Sequence, residues 1–83
     1  MKNTELNGVI KKIIGDLTAI VPSEIQNSDR LREDLGMDSV SSMELISMLS
    51  EELDIEVELE EAMGIVDIAG IIALSERHLN DVT

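Results

Sequence analysis

The sequence predicts an all-α fold: a four-helix bundle with three longer helices, one short third helix and a long first loop. Apolar residues recur at helical spacing in three separate stretches, and β-branched Ile and Val arrive at that spacing and never in strand alternation. A chain of 83 residues has room for one core and no second, so residues 1–83 read as a single domain. Phe, Tyr and Trp are absent, which leaves the core to Leu, Ile, Val and Met.

In the first stretch Leu6, Val9, Ile10, Ile13, Ile14 and Leu17 form one stripe on a helix of roughly 3.6 residues per turn, running from about Thr4 to Ala19. Pro22 follows, and "PSEIQNSDRLREDLG" is too rich in Ser, Asn and Asp for a continuous helix, although Ser23 and Gln26 stand at capping-box spacing. It reads as a long ordered connection held down by Ile25, Leu31 and Leu35. A second helix starts near Asp38 and ends near Leu53 or Asp54. Leu45, Ile46, Leu49 and Leu53 make its core face, while Val40, Met43, Glu44, Ser47 and Glu51 fall opposite. A core-packed helix has no folding reason to carry Val and Met on its outer side, though single exposed apolar residues are common. "ELEEAM" supplies a turn or two of helix before Gly64 stops it. A last helix begins at Asp67 as N-cap and buries Ile68, Ile71, Ile72 and Leu79, slightly weakened by Gly70.

The formal net charge is −12, and its placement is uneven. Residues 1–32 carry five Lys/Arg against four Asp/Glu, whereas residues 33–76 carry thirteen Asp/Glu and no Lys/Arg. Such a surface repels nucleic acid and anionic membranes and attracts basic proteins; the plainer reading is a solvated face. An apolar fraction of 43% at helical spacing argues against disorder. With no cysteine there is neither a disulfide framework nor a thiolate metal site, and with one histidine, His78, no histidine cluster. The charged N-terminus offers no signal-peptide stretch, and no segment approaches a membrane span, so the expectation is a soluble, cytoplasmic monomer.

Catalysis finds no support. A nucleophilic serine needs a base, an orienting group and oxyanion donors, and His78, in the last turns of the final helix, reads as a surface residue favoured by the dipole. The carboxylates are spread along solvated faces, without the burial that acid/base pairs require. Neither phosphate-binding glycine motif occurs, and no EF-hand pattern is present, so neither catalytic residues nor a specific metal site is expected.

"LGMDSVSSMEL" is the remaining feature. Asp38 can cap the second helix and leave Ser39 at its first position, where an esterified phosphate would meet the positive end of the helix dipole. Ser39 can equally be the cap itself, and Ser41 with Glu44 has capping-box spacing. Local sequence alone favours the capping reading.

The longer stretch "EDLGMDSVSSMELISMLSEELDIEV" resembles the central segment of acyl carrier proteins, whose mark is Gly-x-Asp-Ser-Leu opening an acidic second helix. "VIKKIIGDL" is similar to the family's first helix, and residues 67–79 to its last, so the resemblance spans nearly the whole chain. It implies that Ser39 carries 4′-phosphopantetheine, donated by coenzyme A through a phosphopantetheinyl transferase. Asp38 matches the acidic residue that transferase recognises, and Gly36 the glycine of the turn before the helix. It further implies that Val40 and Met43 are apolar positions gripped by partner enzymes, that Glu44 and Glu51 meet basic patches on them, and that Ser47 lies on the same docking face. The function implied is to carry acyl thioesters to synthases and transferases of fatty acid, polyketide or related lipid biosynthesis. The alternatives are a peptidyl or D-alanyl carrier, or an acidic helical interaction domain with Ser39 only a cap. Val40 in place of the commoner Leu, Leu31, Leu53 and Leu74 where the family often has aromatics, Ser75 at a position expected to be apolar, and "VELEE" without Pro-Asp point to a specialised carrier.

Overall fold

The computed structural model describes residues 3–80. Helix α1 spans Asn3–Thr18. Its stripe turns inward as the spacing requires: Leu6, Ile10, Ile13 and Ile14 are buried, with Val9 and Leu17 packed at the edge of the core. The helix stops where Ala19 enters the left-handed region at φ 62° and donates its N–H to the Gly15 carbonyl at 2.8 Å.

The connection to the second helix is ordered, with a 3-10 turn at Pro22–Glu24. The capping-box pair suggested by Ser23 and Gln26 does not form. The turn has no side-chain cap, and the Gln26 N–H instead donates to the Asp29 carboxylate at 2.9 Å. Ile25, Leu31 and Leu35 are buried as expected. The connection is also fastened to the start of α4 (Ile68–Asn80). Leu31 N–H donates to the Val66 carbonyl at 2.9 Å, Ile68 N–H to Asp29 at 3.1 Å and Ala69 N–H to Asn27 at 2.9 Å. Two amides that a helix start leaves without intrahelical partners are thereby bonded to the loop. Asp67 takes a third, accepting from Gly70 N–H at 2.9 Å, as its N-cap position predicts.

Helix α2 spans Ser39–Leu53 and α3 spans Leu59–Met63. Helix α1 packs against α2, α4 and the 3-10 turn, and α2 touches α3. Leu45, Ile46, Leu49 and Leu53 of α2 meet Ile68, Ile71 and Ile72 of α4 and the α1 stripe in one aliphatic core. All of the regular structure among the described residues is helical; the lone bridge between Arg30 and Asp67 belongs to the loop–α4 fastening.

Four details depart from expectation. Leu79 is only half-buried, packed against the rim of the core. Ser75, which stands where an apolar side chain was expected, is wholly buried, and its hydroxyl donates to the Ile71 carbonyl at 2.9 Å. That backbone bond removes the cost of burying the polar group. Gly70 does more than weaken α4: a Cβ there would lie 2.8 Å from Ile65 Cγ2, so glycine lets the chain before α4 approach it closely. His78 is not a plain surface residue, because its side chain is 20% exposed and Nε2 lies 2.6 Å from a Glu61 oxygen on α3.

Candidate functional site

The site is built on the turn that delivers the chain to α2. Gly36 has φ +68°, and a Cβ there would meet nothing within 4 Å, so it is the backbone conformation that requires glycine. With the chain reversed at this point, Leu35 and Met37 both turn inward. Leu35 N–H donates to the Arg30 carbonyl at 3.1 Å and Met37 N–H to Leu31 at 2.9 Å. Asp34 braces the turn from outside by accepting from Arg30 N–H at 2.7 Å and Nε at 3.3 Å; the backbone bond above all holds its carboxyl below the usual carboxylate range. Met37, buried and adjacent to Asp38, was not singled out from the sequence.

Asp38 is the N-cap of α2. Its backbone is extended, and Oδ1 accepts from Ser41 N–H at 2.8 Å, a bond that depresses its carboxyl pKa and keeps it ionised. Of the helix starts open to the sequence, this one is realised. Ser41 lies inside the first turn, and Ser39 is the first helical residue, not the cap. The Asp38 carboxylate thus occupies one of the free amides at the positive end of α2.

The Ser39 side chain is exposed, and its hydroxyl makes no hydrogen bond with the described residues. It sits on the wall of a cleft of about 460 Å³ between α2, α3 and the connection. Met37, Met43, Leu45, Ile46, Leu59 and Met63 contribute its apolar lining. This volume is within the range of small-molecule sites.

The outward face of α2 is as the periodicity placed it. Val40 and Met43 are 63% and 53% exposed, and Glu44, Ser47 and Glu51 are exposed along the same side. Sequence reasoning missed its continuation on the other side of the cleft, where Leu59, Met63 and Val66 are exposed as well. A five-residue helix is too short for its spacing to show which face points out. Beyond the cleft, Glu61 binds α3 to α4 through His78 and, at 3.3 Å, Arg77; the His78 hydrogen bond lowers its carboxyl pKa. Among the described residues no group of three or more His, Cys, Asp and Glu could hold a metal ion, and no helix is long and apolar enough to cross a membrane.

Two comparisons with known proteins bear on this site. The family described as "Phosphopantetheine attachment site" matches residues 8–75, which include the turn, Ser39, the cleft and the first eight of the thirteen residues of α4. Among solved structures, an acyl carrier protein from Enterococcus faecalis superposes with a TM-score of 0.78 at 24% sequence identity, over 94% of this chain and 99% of that one. The second likeness establishes that the fold is shared.

Proposed function

The chain belongs to the phosphopantetheine-attachment family of non-catalytic carriers, whose prosthetic group is 4′-phosphopantetheine, and on that premise we propose that it is an acyl carrier with Ser39 as the attachment residue. Residues 1–83 then act as one carrier domain. The observation that carries this reading is the exposed Ser39 hydroxyl, without a hydrogen bond to any described residue, beside the apolar cleft.

Each neighbouring residue has a task in this reading. Gly36 and Met37 fix the turn, and Asp38 starts α2 so that Ser39 projects from its first position. The ionised Asp38 carboxylate beside Ser39 is a mark that a phosphopantetheinyl transferase can read. The arm supplies a terminal thiol for holding cargo as a thioester, a group that a chain without cysteine does not provide. Leu45, Ile46, Leu59 and Met63 offer an apolar chain shelter from water. Val40 and Met43 give orientation on basic synthases and transferases, while Glu44 and Glu51 hasten encounter; Ser47 lies between them. The carrier contributes tethering, which raises effective concentration, and no bond-making.

The cleft favours an acyl cargo of fatty acid, polyketide or related lipid biosynthesis over an amino acid, because most of its lining is aliphatic and Glu33 is the one carboxylate among its lining residues. A specialised, cytoplasmic, monomeric carrier is the form we propose. Intact-mass analysis of the protein isolated from its native host tests the cargo. A hydrocarbon acyl thioester on the arm is expected, and an aminoacyl thioester as the sole loaded species would replace this reading with the peptidyl or D-alanyl one.

A further inference from the structure

Arg32 lines the same cleft as Ser39 and is the only Lys or Arg among its lining residues. Its neighbour Arg30 is occupied, with Nε 3.3 Å from both Glu33 and Asp34. Arg32 has no hydrogen bond or ion pair with the described residues, and its side chain is exposed. It is also the last cation before the unbroken acidic run of residues 33–76. A positive charge without a partner among the described residues, lining the cleft that Ser39 also lines, is the feature the docking face does not use.

An arm on Ser39 begins with a phosphodiester, which brings one more negative charge to a place that has few partners for it. One of the free amides at the N-terminal end of α2, Ser41 N–H, is already taken by the Asp38 carboxylate at 2.8 Å. A guanidinium is suited to the vacancy, since its fork of N–H donors matches two phosphate oxygens. Resting on the reading of Ser39 as the attachment residue, we propose that Arg32 pairs with the phosphodiester of the arm and so turns the root of the arm toward the cleft. Arg32 is then a positioning residue: it sets the direction of the arm and takes no part in any transfer.

The test uses the full chain before and after conversion by coenzyme A, magnesium and a phosphopantetheinyl transferase, with the thiol left free so that no charged cargo is present. Intact mass is read first; a protein that gains no mass, or gains it elsewhere than Ser39, defeats the attachment reading itself. On converted protein, the 15N–1H resonance of Arg32 Nε is expected to move relative to the unconverted chain. The 31P resonance should differ between wild type and Arg32→Gln at low salt, lie between them in Arg32→Lys, and lose that difference near 1 M salt, where the screening length is about 3 Å. Arg32→Gln should melt with the wild type, because the side chain is exposed and has no partner among the described residues. An Arg32 resonance that does not respond to conversion, or a 31P resonance that ignores Arg32→Gln, overturns the proposal.

Discussion

At the scale of single residues, the division of labour between Asp38 and Ser39 decides how substitutions behave. Ser39 is exposed, makes no hydrogen bond with the described residues and does not cap α2. Ser39→Ala should therefore leave the melting temperature within about 2 °C of wild type, since surface changes away from such features are small. Asp38→Ala removes the cap and should lower melting by several degrees, which circular dichroism in parallel melts will separate. The depressed Asp38 pKa gives the sign with pH: its contribution is fully present above the ordinary aspartate value of about 4 and is lost as pH falls through the lower folded-state value. The difference between wild type and Asp38→Ala should thus hold at neutral pH and shrink only in acid. Two glycines make an opposed pair. Gly8 lies on the exposed side of α1 with nothing within 4 Å of a Cβ, so Gly8→Ala should stabilise by about 1 kcal/mol. At Gly70 the new methyl would meet Ile65 at 2.8 Å, and overpacking of about 1–3 kcal/mol should outweigh the helix gain. Gly70 reads as a mere helix weakness in sequence because the residue it admits, Ile65, approaches through the fold. Asp38 as cap was one of three choices legible in "DSVSSME", and the structure realises it through the Ser41 N–H bond to the Asp38 carboxylate.

At the scale of elements, all four helices were legible, but for the short one only its existence and its stop at Gly64, not its faces or its ties. The α1, α2 and α4 stripes each repeat over several turns, so spacing alone separates their inner and outer faces. Helix α3 has no such repeat, lacks a side-chain N-cap and contributes no fully buried residue. Its side-chain polar tie to the rest of the fold is Glu61 to His78 and Arg77, partners sixteen and seventeen positions away that no local pattern reveals. An element so held should open locally before the core does. Glu61→Gln should speed amide hydrogen exchange in residues 59–63 several-fold, with little change for the α1 and α2 cores. Because the Glu61 pKa is lowered, first by the His78 hydrogen bond, this protection is present above the ordinary glutamate value of about 4.3 and fades as pH falls through the folded-state value. Exchange in α3 that is unchanged by Glu61→Gln would mean the helix is held by its apolar contacts alone.

At the scale of the whole molecule, charge and extent act together. The chain carries a net −12, and its principal extents are 34 × 26 × 19 Å. At 0.01 M ionic strength the screening length, about 30 Å, spans the molecule, whereas at 0.1 M it falls to about 10 Å. Added salt or magnesium should therefore raise the melting temperature by several degrees as self-repulsion is screened; a melt indifferent to both would show that the acidic face is not strained. The same face was legible from the sequence as an outward set of Val40, Met43, Glu44, Ser47 and Glu51, but the cleft was not, since it joins α2, α3 and the connection. The central claim is that Ser39 carries the arm. Its most direct test is the intact mass of wild type and Ser39→Ala after incubation with coenzyme A, magnesium and a broad-specificity phosphopantetheinyl transferase. The account predicts one added phosphopantetheine on wild type and none on the equally folded variant; an unchanged wild-type mass, or the same gain on both, would contradict it.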